Sequence, residues 1–188
     1  NLYEIFLRVF RKAGFQQYTE IIWDKKQISS RTAWGSFCSA SQPNILPRHE
    51  YILVFYKDLP TYNPQKTNGH KPINSYTKYV KTQNNTELYG EMKQEISGGG
   101  ETDRYPRSVL LYSSDKQKSC LHPTQKPLAL MEYLIATYSN EGETILDNCA
   151  GSGTIGLAAK NLNRNYIMIE NDIVNYKICI ERVREKII

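Results

Sequence analysis

The segment Asp147-Asn148-Cys149-Ala150-Gly151-Ser152-Gly153-Thr154 has the makings of a turn that wraps backbone around a ligand. Gly151 and Gly153 stand between an apolar run, Thr144 to Leu146, and a helical pattern marked by Ile155, Ala158, Ala159 and Leu162. Glycine accepts positive φ and has no Cβ to keep a ligand off the backbone. The amides opening the next helix then face that ligand. Glu170 closes the following apolar run, Tyr166 to Ile169, 19 residues after Gly151. At that spacing an acid reaches ribose hydroxyls in nucleotide-binding strand–helix–strand units. Alone, Gly-x-Gly fits a structural turn equally well, and a strand-end carboxylate can simply be solvated. The agreement of turn, strand and acid is what points to a nucleotide.

The motif leaves the nucleotide open. Gly156 completes a formal Gly-x-Gly-x-x-Gly, so a nicotinamide or flavin cofactor, and hence an oxidoreductase, stays an alternative. Two observations argue against it. The unit lies near the C-terminal end with no further strand–helix–strand unit after it. A second distinctive segment, Leu121-His122-Pro123-Thr124-Gln125-Lys126-Pro127, precedes it.

His122-Pro-Thr-Gln-Lys-Pro127, then Asp147-Asn-Cys-Ala-Gly-Ser-Gly-Thr154, then Ile167-Met-Ile-Glu-Asn-Asp172 resembles the β-type DNA amino-methyltransferases of the N6-adenine and N4-cytosine kind. That family usually shows Asp-Pro-Phe where this chain has Asp147-Asn148-Cys149. Ile21-Ile22-Trp23-Asp24-Lys25 and His49 to Phe55 are similar to the family's later sheet strands. Tyr62 to Lys66 and Arg104 to Leu110 resemble segments flanking its target-recognition region.

The resemblance implies an α/β, Rossmann-like S-adenosylmethionine-dependent fold in permuted (β-type) order, and methyl transfer to an exocyclic amine of double-stranded DNA, in restriction–modification or host–phage discrimination. It places His122, Thr124, Gln125, Lys126, Pro127, Asp147, Asn148, Ala150, Gly151, Ser152, Gly153 and Thr154 around the cofactor, with Glu170 on its ribose. Lys126 would hold the cofactor end or cap a helix; His122 would orient its loop. An RNA or protein amino-methyltransferase would share this site.

The family's catalytic element is Asp/Ser/Asn-Pro-Pro-aromatic. Its polar side chain and proline carbonyl accept hydrogen bonds from the amine, and its ring stacks on the extruded base. No such tetrapeptide occurs here, and Pro-Pro is absent, so no catalytic residue is assigned. By resemblance that element and the central strands would precede residue 1, leaving a gap in the sheet. A longer chain, a split enzyme or homodimer completed in trans, and a non-catalytic DNA-binding remnant are the competing expectations.

The elements that must position these residues follow from periodicity. Leu2, Ile5, Phe6 and Val9 predict a helix face over 1–13, stopped by Gly14. Thr19–Trp23 and His49–Lys57 predict strands, the second buried on both faces. Met131, Leu134, Ile135 and Tyr138 mark a helix with Pro127 in its first turn. Ile173, Tyr176, Ile180, Val183 and Ile187 stripe a last helix. Residues 58–119 are rich in Pro, Asn, Thr, Lys and Tyr and show no periodicity. This divides the chain into 1–57, part of the sheet domain; 58–119, an inserted target-recognition region; and 120–188, the cofactor-binding part of the same sheet domain.

Charge and composition fit that division. The net charge is +5 over 188 residues, and the basic excess lies before residue 120. Such a surface suits a polyanion. Lys25, Lys26, Arg31, Lys66, Lys71, Arg104 and Arg107 are the candidate DNA contacts, several interleaved with tyrosines that could stack on bases. Cysteines 38, 120, 149 and 179 form no Cys-x-x-Cys, so no metal site is expected. No apolar run is long enough to span a bilayer. A cytoplasmic location is the expectation.

Overall fold

The computed structural model describes residues 2–26, 48–74, 76–79, 95–113, 122 and 124–184. The chain divides into two compact units, one of residues 1–63 with 107–188, the other of residues 64–106.

In the first unit, α1 (Leu2–Lys12) leads through Gly14, at φ +85°, into β1 (Gln16–Asp24). β1 is the middle strand of a three-stranded sheet, antiparallel to β2 (His49–Tyr56) and parallel to a later strand at Val109–Leu111. Its central position buries Ile21 and Trp23. The edge position of β2 explains a departure from the sequence pattern: its residues are half-buried at most, and Tyr51 is exposed. α1 also departs. Tyr3, Leu7 and Phe10 are its more sheltered positions, with Phe10 stacked on Phe55 at 4.5 Å, while Ile5, Phe6 and Val9 stay exposed.

The second unit carries a two-stranded antiparallel sheet, β3 (Tyr76–Tyr79) with β4 (Glu95–Gly98), and a bridge between Thr67 and Arg104. The Arg104 guanidinium donates to the carbonyls of Glu101, Asp103 and Lys71, which ties the two ends of this unit together. The strand at Val109–Leu111, β5, returns the chain to the first unit.

α2 (Leu128–Tyr138) then links two cores. Leu130 joins Ile21, Trp23 and Leu110 under the three-stranded sheet. Ile135 joins Ala158 and Ala159 under a second, parallel pair, β6 (Thr144–Asp147) and β7 (Asn165–Met168). The end of α2 is bound from two sides. The Asn63 amide donates to the Ala136 and Ser139 carbonyls, and Arg164 donates to the Ser139 carbonyl and hydroxyl. α3 (Thr154–Asn161) crosses between β6 and β7, and α4 (Ile173–Arg184) follows.

No hydrogen bonds pair the two sheets of this unit among the described residues. Leu146, Ile167 and Ile169 are more than half exposed, although the apolar run Thr144 to Leu146 reads as a buried strand. α4 also turns differently from its apolar stripe. Cys179 and Val183 are buried, Ile173 and Tyr176 are exposed, and Ile187 lies outside the described residues. Its inward face is set by the small thiol that fits against the glycine loop.

Candidate cofactor site

The loop between β6 and α3 carries the chemistry. Gly151 and Gly153 both adopt left-handed backbone, at φ +51° and +72°, as the turn requires. Their reasons for being glycine differ. A Cβ on Gly151 would meet the His122 ring at ordinary contact distance, 3.6–3.7 Å. A Cβ on Gly153 would lie 2.8 Å from Cys179 Sγ and 3.2 Å from Cys179 Cα. A Cβ on Gly156 would collide with the Met168 side chain. The third glycine of the formal dinucleotide pattern therefore serves helix–strand packing, as the second serves the approach of α4.

Glu170 holds the loop directly. Its Oε2 accepts the Gly151 amide at 2.7 Å and its Oε1 accepts the Asp172 amide at 2.9 Å. These backbone donors keep its carboxyl below the ordinary range. A carboxylate has about four acceptor positions and the Asn171 amide also bears on it, so at least one remains for a hydroxyl. Asp147 is the opposite case. Burial pushes its carboxyl up, the Cys149 amide pulls it back, and Glu170 adds repulsion. A cation in the cavity would reverse that penalty.

The His122 segment faces this loop. The Thr124 amide and hydroxyl both lie within hydrogen-bond distance of His122 Nδ1, at 3.2 and 3.0 Å. An amide can only donate, so Nδ1 accepts and the ring proton sits on Nε2. Histidine thus orders its own loop. Lys126 pairs with Glu50 at 2.6 Å, Lys25 takes the other oxygen at 2.8 Å, and both ammoniums lie 5.5 Å from the Trp23 ring centre. Burial would raise the Glu50 carboxyl, but the two lysines outweigh it and hold it low. Lys126 therefore ties its segment to β1 and β2 and caps no helix; Pro127, buried, takes the helix-start position.

A cavity of about 210 Å³ lies where the two segments meet. His122, Thr124, Gln125 and Lys126 line it from one side, and Asp147, Ala150, Gly151, Ser152 and Thr154 from the other. Of the cofactor residues expected from sequence, Pro127, Asn148, Gly153 and Glu170 are not in its lining. Cys149 and Ile155, not singled out by sequence, are. Their only signal was their place inside the motif. Glu50 and Trp23 gave none, being far from Lys126 in the chain.

The candidate DNA contacts fall into two groups. Lys25 is paired with Glu50; Lys66 is paired with Asp103 at 2.7 Å and lies over the Tyr105 ring; Arg104 is spent on carbonyls. Lys26, Lys71 and Arg107 are exposed. Arg31 lies outside the described residues.

A glycine loop at the carboxyl end of a parallel strand pair, an acid after the second strand and a cavity beside the loop form the arrangement in which Rossmann-like folds bind nucleoside-containing ligands. A family model described as DNA methylase, of the N6/N4 methyltransferase type, matches residues 2–181. The chain belongs to this family. It is 35% identical over 142 residues to the type II methyltransferase M.HpaI of Haemophilus parainfluenzae, covering 75% of this chain and 38% of that protein. It is 35% identical over 191 residues to the type II methyltransferase M.HindIII of Haemophilus influenzae, covering 93% and 57%. The chain thus spans well under two thirds of these relatives' length. Among solved structures it resembles the M1.HpyAVI–SAM complex, with TM-score 0.62, 24% identity and coverage of 97% of this chain and 70% of that one. It also resembles the cytosine-N4-specific PvuII DNA methyltransferase, with TM-score 0.63, 15% identity and coverage of 99% and 57%. These likenesses show the fold. No comparison supports the oxidoreductase alternative. No helix among the described residues is long and apolar enough to cross a membrane.

Proposed function

We propose that this chain forms the S-adenosylmethionine site of a DNA methyltransferase acting on the N6 amine of adenine or the N4 amine of cytosine. The observation that carries the reading is the convergence of the His122 segment and the glycine loop on one cavity. The residues fit the ligand by charge. Asp147 offers a half-buried carboxylate to a cationic centre, and Glu170 offers acceptors to ribose hydroxyls. At about 210 Å³ the cavity suits one moiety of such a ligand, since whole small-molecule sites run larger. When bound, the sulfonium supplies an activated methyl group. The chain's own part is to hold and orient it.

The acceptors that draw on the target amine come from polypeptide outside these 188 residues, in the same protein or in a second one. Two facts support this. The sequence holds no Asp-Pro-Pro-aromatic element. And Leu146, Ile167 and Ile169 expose an apolar face on a parallel strand pair, a type of sheet normally covered on both sides. Residues 58–119 would serve target recognition, with Lys26, Lys71 and Arg107 the cations best placed to meet phosphate.

The test has two arms. Calorimetry compares S-adenosylmethionine with NAD on this chain; tighter binding of NAD would sink the reading. The protein as its gene encodes it, with any partner, is then given radiolabelled cofactor and DNA, and the digested DNA is analysed for N6-methyladenine and N4-methylcytosine. Cofactor binding without label on DNA would favour a DNA-binding remnant; label on RNA or protein alone would move the substrate class.

A further inference from the structure

We propose that Arg182 is a positioning residue of this site, acting through Ser152 and Thr154 to turn their hydroxyls into donors toward the ligand's carboxylate. The inference rests on the reading of the cavity as an S-adenosylmethionine site. Arg182 lies on α4, 30 residues from Ser152 in sequence. Its Nη1 donates to the Ser152 carbonyl at 3.2 Å, to Ser152 Oγ at 3.0 Å and to Thr154 Oγ1 at 2.9 Å. Ser152 and Thr154 are 3% and 6% exposed, yet both line the cavity.

The consequence follows from donor and acceptor roles. A guanidinium has only donors, so both hydroxyl oxygens must accept from it. Each hydroxyl then has one proton to place, and it must point away from Arg182. The cavity is the direction left to residues buried on the other side. Two hydroxyl donors, at a loop that opens α3, would make this end of the cavity the anion-accepting end. Asp147, which also lines the cavity, has the other polarity and suits cationic charge. The ligand's α-carboxylate is the anionic group that such an end would take.

Arg182 is itself held in place. Lys160 on α3 donates to the Val183 carbonyl at 2.6 Å, and Cys179 packs on Gly153 one helical turn earlier. The loop is thus fastened from behind by α4 and from the strand side by Glu170.

The test uses two ligands that differ in the amino-acid part. S-adenosylmethionine carries the carboxylate; 5′-methylthioadenosine lacks the whole amino-acid moiety. Both are titrated calorimetrically into the protein as its gene encodes it, with any partner, as wild type, Arg182→Met, Arg182→Lys and the double variant Ser152→Ala with Thr154→Val. Arg182→Met should weaken S-adenosylmethionine by about tenfold or more, the scale of hydrogen bonds to a charged group, and leave 5′-methylthioadenosine nearly unchanged. The double variant should reproduce that selective loss, and Arg182→Lys should fall between, since it keeps a donor. Thermal melts of each unliganded variant identify any that do not fold, and Arg182→Lys then carries the comparison. Equal losses for both ligands, or none, would overturn the role of Arg182. Wild-type protein in that complete form that binds neither ligand would overturn the cofactor assignment, and this inference with it.

Discussion

Replacing Gly153 by alanine adds one methyl group where the glycine loop meets α4. Two costs and one offset follow from the geometry. The residue sits at φ +72°, where an L side chain loses about 1–2 kcal/mol. The new Cβ meets Cys179 Sγ at 2.8 Å, inside any real contact, and Cys179 Cα and O at 3.2 and 3.3 Å. The last two are helix backbone and cannot swing away, so overpacking adds about 1–3 kcal/mol. Alanine recovers about 0.4–1 kcal/mol by stiffening the unfolded chain. The net loss is about 2–4 kcal/mol, a large share of the ~5–15 kcal/mol typical of a domain. Gly151→Ala provides the control. It carries a similar φ cost, but its Cβ makes only ordinary contact with His122, so it should lose about 1 kcal/mol. Urea denaturation at unchanged slope measures both. Adding Cys179→Ala to Gly153→Ala removes the sulfur contact and leaves the backbone ones, so recovery should be partial. Gly153→Ala no worse than Gly151→Ala, or full recovery in the double variant, would refute the claim that α4 dictates this glycine.

Glu170 has a lowered pKa, so its stabilisation is present above its ordinary value of 4.5 and is lost as pH falls through the lower folded value. Glu170→Gln should flatten that acid limb in pH-dependent melts. Asp147 is raised, so its contribution favours folding below its ordinary value of 3.8 and is lost as pH rises through the folded value. Asp147→Asn should therefore be at least as stable as wild type at neutral pH, while binding a cationic ligand less well; melts with and without S-adenosylmethionine decide it. Glu50→Gln removes two half-exposed ion pairs worth about 0.2–1 kcal/mol each, and the loss should shrink at high salt. Asn63→Ala removes the side-chain donor from the Ala136 carbonyl, while Arg164 still holds that of Ser139, and should cost about 1 kcal/mol in the same denaturation assay.

The parts of this site that could be read from sequence are those whose chemistry is local. Gly151, Gly153 and Thr154 announce a strand-to-helix turn because a few adjacent residues determine it. Glu170 is legible because one helix and one strand set its distance from the loop. The elements were legible for the same reason, except in orientation. Periodicity located α1 and α4 but picked the wrong inward face for α1 and was right for only part of α4, where Val183 is buried and Ile180 partly so while Ile173 and Tyr176 are exposed. Tyr3 and Phe10 are sheltered against a sheet that accepts aromatic rings, as the Phe10–Phe55 stack shows. Cys179 turns inward because only a small side chain fits against Gly153. The hydrophobic stripe follows composition, whereas the buried face follows the shape of what it meets. Arg182 and Glu50 were beyond any such reading. Their partners lie 30 and 76 residues away, and nothing local constrains a charge to a distant acceptor.

This bears on what a glycine motif can prove. Two of the three glycines in Gly151-Ser-Gly153-Thr-Ile-Gly156 are explained by Cys179 and Met168, without any ligand. A ligand-free turn packed the same way would select the same residues. The discriminating features are polar. Asp147 stays a half-buried acid at a cost, and Glu170 directs a carboxylate at the loop with acceptor capacity to spare. Ser152 and Thr154 are buried hydroxyls whose oxygens are already engaged by Arg182. Packing alone would be better served by apolar side chains than by the buried hydroxyls of Ser152 and Thr154, and by an uncharged group than by the half-buried Asp147 carboxylate. Their retention beside one cavity is the argument for a ligand that is cationic at one place, rich in hydroxyls at another and anionic at a third.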